Sequence, residues 1–306
     1  MSSLLVFPGQ GAQQPGMLHG LPADTLEEAS DWLGEDVLRL DSLQALQSTR
    51  AVQLCLLIAG VAASRQLMQG ELTVDYVAGL SIGAYPAAVV AGALGFADAL
   101  KLVSLRGELM QQAYPHGYGM TAIIGLELAT VEGLLGQVHS EAEPVYLANI
   151  NADNQCVIAG SDAAMQTVAE LARKQGAGLA RRLAVSVPSH CPLLDQPAQA
   201  LAEAFAQVDL HLPRLAYLSG SRARPIRSVE ALRDDLAFNM CRIVDWRGTV
   251  QGAYERGVRL QIELPPGAVL TGLARRVLTQ GSVMAFAGAR LDTLQALLRE
   301  EGSRHS

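Results

Sequence analysis

The chain lacks the usual frameworks for disulfide or metal chemistry. Its four cysteines (Cys55, Cys156, Cys191 and Cys241) form no CxxC pair, and its six histidines show no HExxH spacing. No disulfide frame or zinc site is expected, and the thiols read as reduced ones in a cytosolic protein. Basic charge is also short: 23 Lys and Arg stand against 30 Asp and Glu, a net charge of −7. A nucleic-acid binder needs a basic face, so that class is excluded, although a local basic patch for an anionic ligand is not. Neither GxGxxG nor GxxxxGK[ST] occurs, which argues against a nucleotide phosphate loop. The start, "MSSLLVFPGQG", has no basic n-region and only a short apolar run, so it is not read as a secretory signal and the expected location is cytoplasmic. There is no internal repeat and no low-complexity tract. What is present is apolar: 50% hydrophobic and 17% charged residues over 306 positions, enough for a globular protein with a sizeable core.

One uncharged run, Val77 to Ala97, is nominally long enough to span a bilayer. Its glycines, proline, serine and many alanines make its apolarity weak, and a strand-like "VDYVAG" leads into it. No membrane span is expected. Along the chain, strands alternate with helices. "SLLVF" reads as a buried strand ended by Pro8 and Gly9, and helices are expected at 50–69 and 97–113. Between them lie the strand "TVDYVAGL" and a helix over 83–93 with Pro86 in its first turn, where a missing N–H costs no intrahelical bond. After Gly117 the order becomes β-α-β-β-α-β, the ferredoxin-like pattern, closing with the strand "GLARRLAVSV". The alternation resumes after Ser189, beginning with a helix over 191–208. The fold class is therefore α/β. Residues 1–116 and 190–306 form a mostly parallel sheet domain covered on both faces, and 117–189 form an inserted α+β subdomain.

Within the uncharged run, "GLSIG" places Ser81 between Gly79 and Gly83, after a strand and before a helix. This is the G-x-S-x-G context of a nucleophile elbow. Small flanking residues permit the sharp turn, and the helix start turns free N–H groups toward a developing oxyanion, with Ile82 N–H the natural donor. A structural turn in an Ala/Gly-rich segment is the plainer alternative. A serine nucleophile needs a base, and His190 in "VPSHC" sits at a strand end before a helix. His19, His116, His139, His211 and His305 lie in turns, at a helix end or near a terminus. Cys191 is read as a helix-start residue rather than a nucleophile. The loop "FPGQGAQ" could present the Gln10 N–H as a second oxyanion donor. Arg106, inside an amphipathic helix, could bind a substrate carboxylate or pair at the surface with Glu108.

Six segments in order, "VFPGQGAQ", "GLSIGAYPA", "RGELMQ", "NADNQCVIAG", "VPSH" and "ELPPGAVLTGL", resemble the motifs of malonyl-CoA:acyl-carrier-protein transacylases over nearly the whole chain. The resemblance implies an α/β-hydrolase-like large domain with an inserted ferredoxin-like subdomain. It implies Ser81 as the acylated nucleophile, His190 as its base, Gln10 and Ile82 as oxyanion-hole amides, and Arg106 on the malonyl carboxylate. Asn239 matches the position whose carbonyl orients the histidine, giving a Ser–His dyad with a neutral orienter. No permanently bound cofactor is implied. The substrate would be malonyl-CoA, and the acceptor a carrier protein with a phosphopantetheine-type arm. Leu80, Ala84 and Arg50 depart from the common His, Glu and "TQPA" pattern. With them, "GLSIGAYPAAVVAGAL" looks most like the malonyltransferase subunit of bacterial malonate decarboxylase, whose acceptor is the decarboxylase carrier subunit.

Three alternatives stand beside this reading. A housekeeping fatty-acid transacylase would use the same site. A serine esterase or thioesterase would need an acid on the histidine, and the acids between Ser81 and His190, such as Asp153 and Asp162, fall in the insertion. A non-catalytic scaffold would form no acyl-enzyme. Arg275 with Arg276, and Arg181 with Arg182, are candidates for a carrier-facing basic patch, or simply solvated charges.

Overall fold

Two sheets divide the chain, and the cleft between them holds the site. The computed structural model describes residues 2–70 and 72–303; His305 lies outside them. In chain order the strands are β1 (Ser2–Phe7), β2 (Tyr76–Gly79), β3 (Tyr118–Ile124), β4 (Val145–Ala152), β5 (Gln155–Ser161), β6 (Leu179–Arg182), β7 (Ala216–Ser219), β8 (Arg224–Pro225), β9 (Val244–Asp245), β10 (Val258–Glu263) and β11 (Ser282–Ala285). The helices are α1 (Ala23–Leu33), α2 (Thr49–Leu67), α3 (Ala84–Val90), α4 (Phe96–Ala113), α5 (Leu128–Val138), α6 (Asp162–Lys174), α7 (Asp195–Ala204), α8 (Val229–Phe238), α9 (Trp246–Glu255), α10 (Val269–Ala274) and α11 (Leu291–Ser303).

The larger sheet runs β11-β10-β1-β2-β7-β8, parallel throughout except for the two-residue β8. Its inner strands β10, β1, β2 and β7 are largely buried on both faces, as a parallel sheet under helices requires, while the edge strands β11 and β8 are partly exposed. Along β1, Leu5 and Phe7 point into the core shared with α2, α3 and α4, while Leu4 and Val6 point into a second core with Trp246 of α9 and Leu270 of α10. The period of two along a strand produces this division. The smaller sheet runs β6-β3-β5-β4-β9, with α5 and α6 on one face. Its first four strands are antiparallel in the ferredoxin-like order. β9 arrives from beyond the 117–189 segment and pairs parallel with β4.

Several boundaries differ from the sequence reading. The helix after Ser81 starts with a 3₁₀ turn, Ser81–Gly83, and α3 ends at Val90, because the chain turns at Gly92 in the left-handed region. The Val77–Ala97 run is thus broken into strand, turn, short helix and the start of α4. Among the described residues no helix is long and apolar enough to cross a membrane. The strand in "GLARRLAVSV" stops at Arg182, whose guanidinium takes the carbonyls of Tyr118, Met120 and Val185 as the chain leaves the sheet. The helix expected over 191–208 is α7 with a 3₁₀ turn at each end.

Candidate active site

The elbow follows from close packing at two glycines. A Cβ on Gly79 would lie 1.9 Å from the Gly83 carbonyl carbon, and one on Gly83 would lie 2.2 Å from the Phe7 carbonyl oxygen. Any larger residue would force β2, the turn and β1 apart. The chain therefore turns sharply with Ser81 at φ +58°, in the left-handed region that non-glycine residues seldom occupy. Leu80 N–H bonds to Phe7 and Gly83 N–H to Leu80, so the Ser81 and Ile82 amides open the turn, where helix N–H groups have no intrahelical acceptor.

His190 also has positive φ, +64°. Its own N–H donates to the Met240 carbonyl, and its Nε2 lies 2.9 Å from Ser81 Oγ. Nδ1 faces the main-chain carbonyls of Asn239 at 2.8 Å and Arg242 at 3.2 Å. Both partners are acceptors, so Nδ1 carries the proton and Nε2 is free to take one from Ser81. Among the described residues no carboxylate touches the ring. Burial, reinforced by the nearby Arg106 charge, pushes the imidazole down to about 4, so it is neutral at physiological pH.

Arg106, on α4, is fully buried. The surface pairing with Glu108 does not occur; Glu108 pairs with Arg50 instead. One Arg106 amino group donates to Gln53 Oε1 at 2.8 Å, and the other to Asn239 Oδ1 at 3.1 Å and Ser81 Oγ at 3.4 Å. Its Nε has no hydrogen-bond partner among the described residues. Burial lowers the guanidinium to about 10, which leaves it charged at neutral pH. A buried cation held only by neutral groups is a poor arrangement until an anion joins it.

Gln53 was missed by the sequence reading, which took Arg50 as the informative position on this helix. The structure turns Arg50 outward onto Glu35 and Ser104 and buries Gln53 fully. Gln53 donates to Gln10 Oε1 at 3.0 Å and so links the first loop to Arg106. A lone glutamine among the apolar residues of "VQLCLLIAG" was the available signal. Arg242, whose carbonyl shares His190, was missed as well.

Ser81 and His190 open into a cleft of about 360 Å³. One wall is Gln10, Leu80, Leu270 and neighbours from the larger sheet; the other is the face of the smaller sheet that carries Met120, Asn149, Val157 and Arg181. Of the two adjacent arginines, Arg182 is engaged with carbonyls and Asp162, and only Arg181 lines the cleft. Among the described residues no cluster of His, Cys, Asp and Glu could hold a metal ion.

This geometry suits a serine nucleophile with a histidine base beside a buried cation. Residues 4–300 match the family described as acyl transferase domain. The chain belongs to the acyltransferase family. This acyltransferase is 39% identical over 285 residues to the malonyl CoA-acyl carrier protein transacylase of Haemophilus influenzae, covering 89% of this chain and 91% of that relative. Identity to the protein of the same name from Escherichia coli strain K12 is 37% over 283 residues, with the same coverage of each chain. The structure is similar to that of FabD from Acinetobacter baumannii, with a TM-score of 0.91 and 38% identity over 98% of this chain and 99% of that one. It is also similar to the PlMCAT:AntF complex, a type II PKS acyl-carrier protein with its malonyl-transacylase (TM-score 0.89, 34% identity, 98% of this chain and 100% of that one). The acyltransferase is thus an enzyme with the α/β fold expected.

Proposed function

We propose that this acyltransferase moves a malonyl group from malonyl-CoA to the thiol of an acyl-carrier protein through a Ser81 acyl-enzyme. The observation that carries the reading is Arg106: a buried guanidinium with no anionic partner among the described residues, 3.4 Å from Ser81 Oγ. It would complement a free carboxylate on the acyl group being transferred. Ser81 gives its proton to His190 Nε2 as Oγ attacks the thioester carbonyl. The Gln10 and Ile82 amides receive the oxyanion. The intermediate collapses by breaking the C–S bond, and the CoA sulfur leaves with the proton from His190. The arm's thiol then enters by the reverse steps. The carbonyls of Asn239 and Arg242 keep the proton on Nδ1. A neutral orienter favours the imidazolium less than a carboxylate would, and its presence argues against an esterase with a Ser–His–acid triad. On this reading 117–189 is an inserted subdomain that supplies one wall of the cleft.

The acceptor is read as a fatty-acid-type carrier. The curated relatives are named as acyl carrier protein transacylases. The decarboxylase carrier subunit, the acceptor first expected from the sequence, rests only on departures at Leu80, Ala84 and Arg50, and none of the relatives compared above carries that name. Ala84 is buried in α3 and Arg50 is engaged with Glu35 and Glu108, while Leu80 lines the cleft. Intact-protein mass measurement with malonyl-CoA should show a malonyl adduct on the wild type and none on Ser81→Ala. Arg106→Ala should lose the preference for malonyl-CoA over acetyl-CoA. Comparing kcat/KM for the two carrier types should favour the fatty-acid type, and a reversed order would restore the decarboxylase reading. Rapid release of free malonate without a thiol acceptor would indicate a hydrolase.

A further inference from the structure

Asn239 is tied to the site in three ways. Its main-chain carbonyl faces His190 Nδ1 at 2.8 Å, its side-chain Oδ1 accepts from Arg106 at 3.1 Å, and its Nδ2 donates to the Ser81 carbonyl at 3.4 Å. The first contact would survive any side chain; the other two depend on the amide. Charge around Arg106 is also arranged selectively. Asp235 lies one turn earlier on α8, yet its carboxylate is taken by the hydroxyls of Tyr217, Ser219 and Ser221. Among the described residues, the titratable groups that face the guanidinium are His190, Cys241 and the Tyr85 ring, whose centroid is 6.0 Å away. None is an acid ionised at neutral pH.

We propose that the Asn239 side-chain amide is a positioning residue that sets acyl selectivity: it fixes Arg106 beside Ser81 through a neutral acceptor and leaves the cation's charge for the substrate carboxylate. This rests on the malonyl-transfer reading. An amide oxygen directs the guanidinium as a carboxylate would, but does not neutralise it. A carboxylate at the same place would satisfy Arg106 internally, and a malonyl group would then bring a second anion to an already paired cation. An apolar side chain would remove the acceptor on the Ser81 side and leave Gln53 Oε1 alone to hold the other amino group, so the guanidinium could swing away from Ser81.

The test uses Asn239→Asp, the isosteric apolar Asn239→Leu and the conservative Asn239→Gln, each as the full chain. Acylation is followed with malonyl-CoA and acetyl-CoA between pH 4 and 9. Asn239→Asp should lower the malonyl-to-acetyl ratio of kcat/KM at least ~10-fold, the scale of a charge-assisted contact. Most of that loss should appear in KM for malonyl-CoA. The acid limb of its profile should move upward, because a new anion beside His190 stabilises the imidazolium. Asn239→Leu should lose selectivity without that upward move, and Asn239→Gln should recover part of it. A wild-type ratio in either Asn239→Asp or Asn239→Leu, whichever is folded by circular dichroism, overturns the proposal. Failure of the underlying reading looks different: the wild type itself would then form no malonyl adduct on Ser81.

Discussion

Ser81 and His190 both occupy the left-handed region, where a non-glycine residue costs roughly 1–3 kcal/mol. The surrounding hydrogen bonds hold both in place, and the cost sits at the two positions where the proposed chemistry occurs. His190 makes a pH prediction with a definite sign. Its folded-state pKa is about 4, below its ordinary 6.5, so the neutral base persists as pH falls until about 4. The acid limb of kcat/KM for malonyl-CoA, which reports the free enzyme, should therefore lie near 4 to 5. A limb at 6.5 would contradict the buried, Arg106-facing histidine. Stability shares the sign. The contribution of His190 is fully present above pH 6.5, falls as pH drops because the unfolded chain takes up the proton first, and levels off below about 4. His190→Gln should remove that part of the pH dependence. Of the residues involved, Ser81, His190, Gln10 and Ile82 stood out from local motifs, Arg106 was left open between two roles, and Asn239 came only with the family resemblance. Gln53 did not stand out, because its partners Gln10 and Arg106 are 43 and 53 residues away in the chain.

At the scale of elements, the strand–turn–helix unit β2–Ser81–α3 is specified by shape. Gly83→Ala would put a methyl 2.2 Å from the Phe7 carbonyl oxygen, against main chain that cannot turn aside. It should cost about 3 kcal/mol or more in urea unfolding and slow Ser81 acylation. Gly133→Ala on α5, where a new methyl meets nothing within 4 Å, is the control and should stabilise by roughly 1 kcal/mol. Equal effects in the two variants would mean that the elbow is not tightly packed. Most elements were readable from periodicity and turn residues, and their ends were less so. α3 stops early at Gly92, and β6 stops where Arg182 takes over the carbonyls. Both endings depend on contacts that periodicity does not encode.

At the scale of the molecule, a net charge of −7 would repel an anionic thioester, yet the cleft differs. Among the described residues lining it there is no Asp or Glu, and Arg181 is one of them. The local field should therefore oppose the global one. Raising salt from 0.05 to 0.5 M should increase KM for malonyl-CoA several-fold by screening that attraction. A falling KM would mean that the net charge dominates instead. The cleft itself was only partly legible. The two sheets were foreseen as separate units, but β9, from beyond 189, completes the smaller one. A two-residue strand carries too little pattern to be read in advance.

By itself the sequence determined the α/β alternation and pointed to a ferredoxin-like order after Gly117, an elbow at Ser81 and His190 as its partner. Each is a local matter of period, turn residues or a motif within a few positions. Only the tertiary structure decided whether Arg106 was a surface ion pair or a buried cation, and that Arg50 faces out while Gln53 faces in. It also showed that Asn239 reaches Arg106 and Ser81 with its side chain. Those outcomes depend on which helix faces pack against the larger sheet. Burial then decides whether a charge is screened by water or left in need of a partner.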